Sequence, residues 1–463
     1  MALAEFIKEY TLADTVSFHM PGHKGRRIFE QLGFSGLLDI MADGDLTEID
    51  GADNLFRPKG VIREVMDKYR RIYASRESFL LVGGSSAGII ASVMTCIRRG
   101  EKLLLASNCH KSAINGLILA GGRPVYIDPQ MICKYGISGS VSPQEIDSVL
   151  EREGDVRAVL VTSPNYYGIC SDIEKIAETA HRHGAVLIVD EAHGAHLTLT
   201  DKSLSAEANG ADVVVVSTHK TLISFTQTAV ANIYGEGIDT DRFGECLQMI
   251  QSSSPSYILM TSLDMNADMM LGCGSELADK WSSDITWFYG RAREVPHLKA
   301  VAHPLLDKTK INLDMSACGL DGRALSEELR KRGIFLELST GNIAMAMTGI
   351  GNVRADYERL LDVLRGVASS HEYVGCINAP DVSGVYSHGE TRDIPSETEK
   401  IHYSAAGGRI CAVSVIPYPP GIPLIAPGEV IRKEAAEYAA SLLACGQSVI
   451  GMDDDGNITV GKL

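Results

Sequence analysis

DVVVVSTHKTL, residues 212–222, is the stretch on which the reading of the fold turns. Four consecutive valines suit a strand buried on both faces, and a serine, a threonine, a histidine and a lysine follow at once. A lysine directly after such a run cannot easily reach bulk water, and buried lysines are rare unless paired or reactive. The same pattern recurs upstream. SFLLVGG (78–84), KLLLAS (102–107), RPVYID (123–128), AVLVTSP (158–164) and AVLIVD (185–190) read as buried strands. GIIASVMTCIRRG (88–100), SPQEIDSVLERE (142–153) and DIEKIAETAHRHG (172–184) read as the helices between them. The alternation predicts an α/β fold with a mostly parallel, helix-covered sheet over residues 75–235.

Ligands of an open parallel sheet bind beyond the carboxyl ends of its strands, so residues just after each strand are where chemistry is expected. SFLLV runs into GGSSAG, where Gly83, Gly84, Ser85, Ser86 and Gly88 open a helix and offer backbone N–H groups and two hydroxyls to a phosphate. Taken alone, that string is equally a plain turn and cap. AVLIVD ends in Asp190, KLLLAS leads to His110, and DVVVVS leads to Lys220. Singly these read as a cap, a hydrogen-bonded structural histidine and a snorkelling lysine. Jointly, a carboxylate and a lysine at successive strand ends with a phosphate cradle upstream suggest pyridoxal 5′-phosphate, with Lys220 bonded to the cofactor and Asp190 facing its pyridine nitrogen.

The 463 residues are 45% hydrophobic, enough for a large core and more than one domain. A formal net charge of -16 excludes nucleic acid as a main partner and suits a cationic ligand. The ten cysteines are scattered from Cys96 to Cys445 without a C-x-x-C pair, as in a reduced, cytoplasmic protein. MALAEFIKEYTLADTV (1–16) is not a signal peptide, and no apolar run reaches membrane-spanning length, so no membrane association is expected. No metal is expected: His193 with His196, and His181 with His183, lack matching ligand spacing, and the acidic strings at 43–54 and 453–457 lack the pattern of a calcium loop.

Beyond residue 300, KINLDMSACGL (310–320), DGRALSEELRKRG (321–333) and IFLELSTGNIAMAMT (334–348) suggest a smaller α+β unit. The proline-rich VIPYPPGIPLIAPGE (415–429) and a closing helix IRKEAAEYAASLLACG (431–446) follow. The expected division is 1–45 as an N-terminal arm and active-site loop, 46–300 as a large cofactor-binding domain and 301–463 as a small C-terminal α+β domain.

FHMPGHKG (18–25), NCHKS (108–112), VDEAHGAH (189–196), STHKTL (217–222), QSSSPSY (251–257) and PYPPGIPLIAPGE (417–429) occur in the order seen in the bacterial ornithine/lysine/arginine decarboxylases. The chain resembles that family from Ser17 to Glu429, in the short form without the N-terminal wing domain, and the resemblance implies the PLP-dependent fold type I. It further implies Lys220 as the Schiff-base lysine, Ser85, Ser86, Ser217 and His219 at the phosphate, Asp190 at the pyridine nitrogen and His110 stacked on the ring. His193 lies where some large relatives carry a tryptophan near the cofactor's phenolic oxygen. Ser253 and Ser254 would reach the phosphate of a neighbouring subunit in a homodimer or larger assembly with shared sites.

The implied reaction is decarboxylation of arginine, lysine or ornithine, with arginine favoured, to an amine that feeds polyamine metabolism. Glu429, or a carboxylate of DGDLTEIDGAD (43–53), would read the distal cation. SFHMPGHKG (17–25) would shape the active-site mouth, with His23 or Lys24 near substrate, or pack on the partner subunit. An aminotransferase or carbon–sulfur lyase of the same fold would share Lys220 and Asp190 but clamp the substrate carboxylate with an arginine, for which Arg409 is the candidate.

Overall fold

The computed structural model describes residues 3–375, 384–418 and 421–462. Expectations falling on Met1, Ala2, residues 376–383, Pro419, Pro420 and Leu463 lie outside the described residues. At the centre is a seven-stranded sheet of β1 (Glu77–Leu81), β2 (Lys102–Ala106), β3 (Arg123–Ile127), β4 (Val156–Thr162), β5 (Val186–Asp190), β6 (Val213–Val216) and β7 (Ala229–Ile233). The spatial order is β1-β7-β6-β5-β4-β2-β3. β7 runs antiparallel to both of its neighbours, and the other strands are parallel. The sequence reading found six of these strands and passed over β7, because Asn232 interrupts its apolar run. Only half of that amide is paired: its Oδ1 accepts from Ser78 Oγ at 2.7 Å, across the β1–β7 pair, while its buried Nδ2 has no partner among the described residues.

Alternate residues of each strand enter different cores, as strand geometry requires. Val214 and Val216 pack with Ile146, Ile173 and Ile176 on one face. Val213 and Val215 pack with Ile89, Val93 and Phe243 on the other. Both faces are covered, so polar groups collect at the strand ends. The helices obey local rules. Ser142 caps Pro143–Glu153 by accepting from Glu145 N, proline occupies the first turn, and Gly154 ends the helix in the left-handed region. Asp172 caps Ile173–Arg182 in the same way. The helices after β1 and β2 lie on one face and those flanking β4 on the other. The winding therefore reverses between β2 and β4, which places the crevice beside the carboxyl ends of β2, β4 and β5.

Beyond the helix Gly274–Ala292, an antiparallel sheet of Lys299–Ala300, Lys310–Asp314, Ile343–Met347 and Leu338–Thr340 packs into the same core as the large sheet. Residues 385–460 build a separate core around the helix Lys433–Ala444. That helix does not close the chain, since Ser448–Ile450 and Asn457–Gly461 follow and pair back onto Ile416–Tyr418 and Thr398–His402. At the other end, Leu3–Leu12 forms a helix with no buried residue. Val16–Phe18 then pairs in parallel with Ile334–Leu336, carrying the FHMPGHKG loop against the short helix that holds Lys220.

That contact needs glycine at position 22. A Cβ there would stand 2.4 Å from the Thr221 carbonyl carbon, and Gly22 N donates to His219 O at 2.8 Å. Gly22→Ala should therefore cost about 1–3 kcal/mol of stability, as overpacking against backbone does. Gly366→Ala, in the exposed face of Arg354–Ser370 with nothing within 4 Å of its Cβ, should instead gain up to about 1 kcal/mol. Urea unfolding of the two variants side by side checks the contrast.

Candidate active site

β6 ends at Val216, Ser217 stands at the N-cap position without a side-chain cap bond, and Thr218–Thr221 forms a short helix that carries Lys220 away from the sheet. The Lys220 Nζ stands 3.0 Å from His193 Nε2. Burial pushes this amine below the ordinary lysine value; Asp190 and Glu337 pull it back up, and Lys310 adds to the lowering. Asp190, the last residue of β5, is 4% exposed, and its Oδ1 accepts from Ala192 N at 3.1 Å. Burial raises its carboxyl, and Lys220 opposes that rise.

His193 sits in the turn after β5, edge-on to Tyr166 with ring centroids 4.9 Å apart. Burial holds its ring well below the usual histidine range, with Lys220 and Lys310 adding to the effect. Its Nδ1 has no hydrogen-bond partner among the described residues. His110 caps the helix Lys111–Ala120, and its Nδ1 accepts from Ser112 N at 3.3 Å. Burial, then the Lys220 and Lys111 charges, push it down to about 3, so the ring is neutral. His219 donates from Nδ1 to Thr228 O at 2.7 Å and is held by burial at about 4.

The helix Gly84–Cys96 starts without a side-chain cap, which leaves its first amides for a ligand. Gly84 occupies φ +74, a conformation that favours glycine. Two glutamines brace the approach: Gln251 Oε1 accepts from Val82 N and Gly83 N, and Gln227 Nε2 donates to Val82 O.

These residues meet in one cavity of about 400 Å³, lined by Ser85, Ser86, His110, Asp190, His193, His219 and Lys220. Larger grooves of about 490 and 640 Å³ lie elsewhere and contain none of them. Ser217 is buried beside the site, its Oγ without a partner among the described residues, but it does not line the cavity. Ser253 and Ser254 are exposed and outside it.

Other expectations land elsewhere. Glu429 is buried and committed to His388 Nδ1, Gly389 N and Ala426 N. Arg409 bonds to Glu399 and to the Gly461 carbonyl and stays away from the cavity. Of the acidic string 43–53, Asp53 is spent on the amides of Lys59 and Gly60, and none of the string lines the cavity. From the FHMPGHKG loop only Met20 reaches the wall. His23 packs against Phe29 and Phe225, while Lys24 bonds to the carbonyls of His19 and Met347.

Sequence reasoning missed Thr162, Tyr166, Gln227, Glu337 and Tyr418, all in the wall. Glu337 had a signal, a lone carboxylate between leucines in IFLELST, and its Oε2 accepts from Met20 N at 2.9 Å. Among the described residues no helix is long and apolar enough to cross a membrane, and no group of three or more His, Cys, Asp or Glu could hold a metal.

A mostly parallel sheet of reversed winding, with an aspartate and a lysine after adjacent strands and an uncapped helix start in the same cavity, defines the fold type I class. Residues 2–288 match the family model described as "Orn/Lys/Arg decarboxylase, major domain", and residues 379–455 match that of its C-terminal domain. The chain belongs to the Orn/Lys/Arg decarboxylase family and is an amino-acid decarboxylase. It is 30% identical to an arginine decarboxylase of Bacillus subtilis over 97% of this chain and 94% of that one. It is 25% identical to the lysine decarboxylase LdcA of Pseudomonas aeruginosa, over 91% of this chain and 72% of that one. In fold it is similar to the solved constitutive lysine decarboxylase of Escherichia coli, with a TM-score of 0.76 at 20% identity, covering 99% of this chain and 81% of that one.

The neutral histidines set a pH dependence. An unfolded His219 takes up a proton as pH falls through 6.5, whereas the folded ring resists until about 4, so stability is lost across that window and is unaffected above it. His219→Gln should lose less of its urea midpoint between pH 7 and pH 4.5 than the parent does. Equal losses would show that His219 is not buried neutral.

Proposed function

We propose that the chain decarboxylates a basic L-amino acid, arginine before lysine or ornithine, to the corresponding amine with release of CO2, using pyridoxal 5′-phosphate held on Lys220. The observation that carries this reading is the meeting, in one cavity, of a desolvated lysine, a buried strand-end carboxylate and an uncapped helix start. The preference for arginine is supported by the arginine decarboxylases at 30% identity, against 25% or less for the lysine decarboxylases. An amine product of this kind feeds polyamine metabolism, and a cytoplasmic location suits such a reaction.

The residues present fit the cofactor. Ser85, Ser86 and the free amides of Gly84–Cys96 suit its phosphate, with Ser217 and His219 on the lysine side. Thr162 Oγ1 and Ser217 Oγ are buried polar atoms without partners among the described residues, as expected beside a group that supplies them. When bound, the cofactor supplies an electron-poor ring that accepts the electron pair left by the departing carboxylate.

The side chains do the rest. Asp190, once it faces a pyridinium cation, is drawn back to its charged form and keeps a proton on that nitrogen. The neutral His110 ring would hold a face of the cofactor without adding charge, and His193, 3.0 Å from the Lys220 amine, would help to orient that amine. Lys220 returns a proton to the α-carbon, a role His110 could take only after first gaining a proton, because burial holds its ring neutral. No arginine lines the cavity among the described residues, so the substrate carboxylate meets no guanidinium clamp and is left free to depart. Glu337, the second carboxylate of the wall, reads the distal cation.

We also infer a homodimer or larger assembly in which Ser253 and Ser254 serve the partner's phosphate. Their exposure next to Gln251, which braces the helix start, supports that reading. The chain is divided into an arm at 1–45, a cofactor domain at 46–300 and a C-terminal part at 301–463, the last holding the separate core of residues 385–460.

A product assay over arginine, lysine and ornithine, with and without added pyridoxal phosphate, should show amine and CO2 from arginine at the highest kcat/KM. No amine from any of the three would end the reading. Borohydride reduction followed by peptide mapping should place the pyridoxyl group on Lys220. Asp190→Ala should lower kcat by about 10²-fold or more, through lost electrostatic stabilisation. Glu337→Gln should cost about 10–100-fold in kcat/KM for the basic substrate, the worth of one bond to a charged partner.

A further inference from the structure

Behind the cavity lies an ion pair that the mechanism above does not use. Lys310 is fully buried at the start of the strand Lys310–Asp314, and its Nζ stands 2.7 Å from Asp307 Oδ2. The same amine donates to the main-chain carbonyl of His193, the residue whose ring meets Lys220. Asp307 also faces His196, with Oδ1 3.2 Å from Nε2, and His196 Nδ1 stands 3.2 Å from Thr221 Oγ1. Thr309 closes the cluster, its Oγ1 2.9 Å from Asp307 Oδ2 and 3.2 Å from Lys310 Nζ. Two arms thus leave one carboxylate. One ends on the turn that holds His193, the other on the residue after Lys220.

We propose that Asp307, Lys310 and His196 form a buried clamp that positions the two segments meeting at the Lys220 amine: the turn carrying His193 and the short helix carrying Lys220. Three observations support it. The ion pair is fully desolvated, and a buried pair of this kind is weak as a source of stability but strong as a geometric constraint, because losing either partner strands a charge. Both arms end within one residue of a side chain in the cavity wall. Asp307 N also donates to Gly168 O at 2.8 Å, which fixes the clamp to the loop after β4. Lys310 adds a fixed positive charge behind the site that disfavours the charged form of Lys220.

Six groups set the Lys220 charge. Asp190 at the end of β5 and Glu337 beside the C-terminal sheet favour it. Lys310 opposes it, and the neutral rings of His193, His110 and His219 complete its surroundings. With Asp307 and Lys310 both neutralised, the cation opposing Lys220 is gone, and its amine should hold its proton to higher pH.

The inference rests on the cofactor reading of the same site, and the experiment separates the two. The cofactor-loaded parent is titrated with pH while its visible absorbance is followed; a parent that shows no visible band with pyridoxal phosphate overturns the cofactor reading itself. The double variant Asp307→Asn/Lys310→Met, which leaves no uncompensated charge, should keep a melting temperature near the parent's. It should move the absorbance midpoint to higher pH and lower kcat about tenfold with KM changed less than about twofold. A folded double variant with the parent's midpoint and kcat overturns the clamp. If the double variant does not fold, Thr221→Val decides: it cuts only the His196 arm and leaves the Lys310 charge in place. Its absorbance midpoint should stay at the parent's while kcat falls with KM changed less than about twofold, and an unchanged kcat likewise overturns the proposal.

Discussion

Everything about this site follows from one cost, the removal of an amine from water. Strand β6 is buried on both faces, so the first residue able to leave it emerges into a low-dielectric crevice, and Lys220 is among those residues. An ammonium there is disfavoured unless compensated. Asp190 and Glu337 compensate in part, and both are carboxylates that a bound pyridine ring and a basic substrate would also engage. The strain of desolvation is thus shared among groups that each have a chemical task. Only one of them, Asp190, is tied to the strand's own backbone turn.

The sheet was legible because its strands are buried on both faces and so read as unbroken apolar runs, and the strand-end residues were legible because they break those runs abruptly. Lys220, Asp190 and His110 could be picked out for that reason. β7 escaped notice because the Asn232 oxygen is paired with Ser78, a partner 154 positions away that no local pattern reveals. Glu337 and Tyr418 escaped for a similar reason: they enter the wall from beyond residue 330, by folding back across the sheet. The motif resemblance brought Ser253 and Ser254 into view, yet in the single chain they are exposed and lie outside the cavity.

The clamp behind the site illustrates what patterning cannot show. Asp307, Thr309 and Lys310 stand close together in LLDKTKIN, a string that reads as an ordinary polar turn before a strand. Burial alone converts it into a rigid junction. Lysine and aspartate three residues apart on a surface would contribute little. Enclosed at 2.7 Å with a histidine and a carbonyl as further partners, they fix two separate backbone segments relative to each other.

The close seating of Gly22 on Thr221 bears on how the molecule comes to exist. Lys24 bonds to a carbonyl 323 positions away, and Val16 pairs with Ile334. The opening residues therefore lack part of their native surroundings, Ile334 beside Val16 and the Met347 carbonyl for Lys24, until the chain has reached residue 347, although His219, Thr221 and Phe225 come earlier. During synthesis the uncapped helix start and Lys220 can assemble before the parts of the wall that come from Glu337 and Tyr418, since the large sheet is complete by residue 233. Closing so long a loop is a late and entropically costly step, and contacts this distant in sequence slow folding. Enclosure of the cavity by Met20, Glu337 and Tyr418 thus rests on contacts drawn from far apart in the chain.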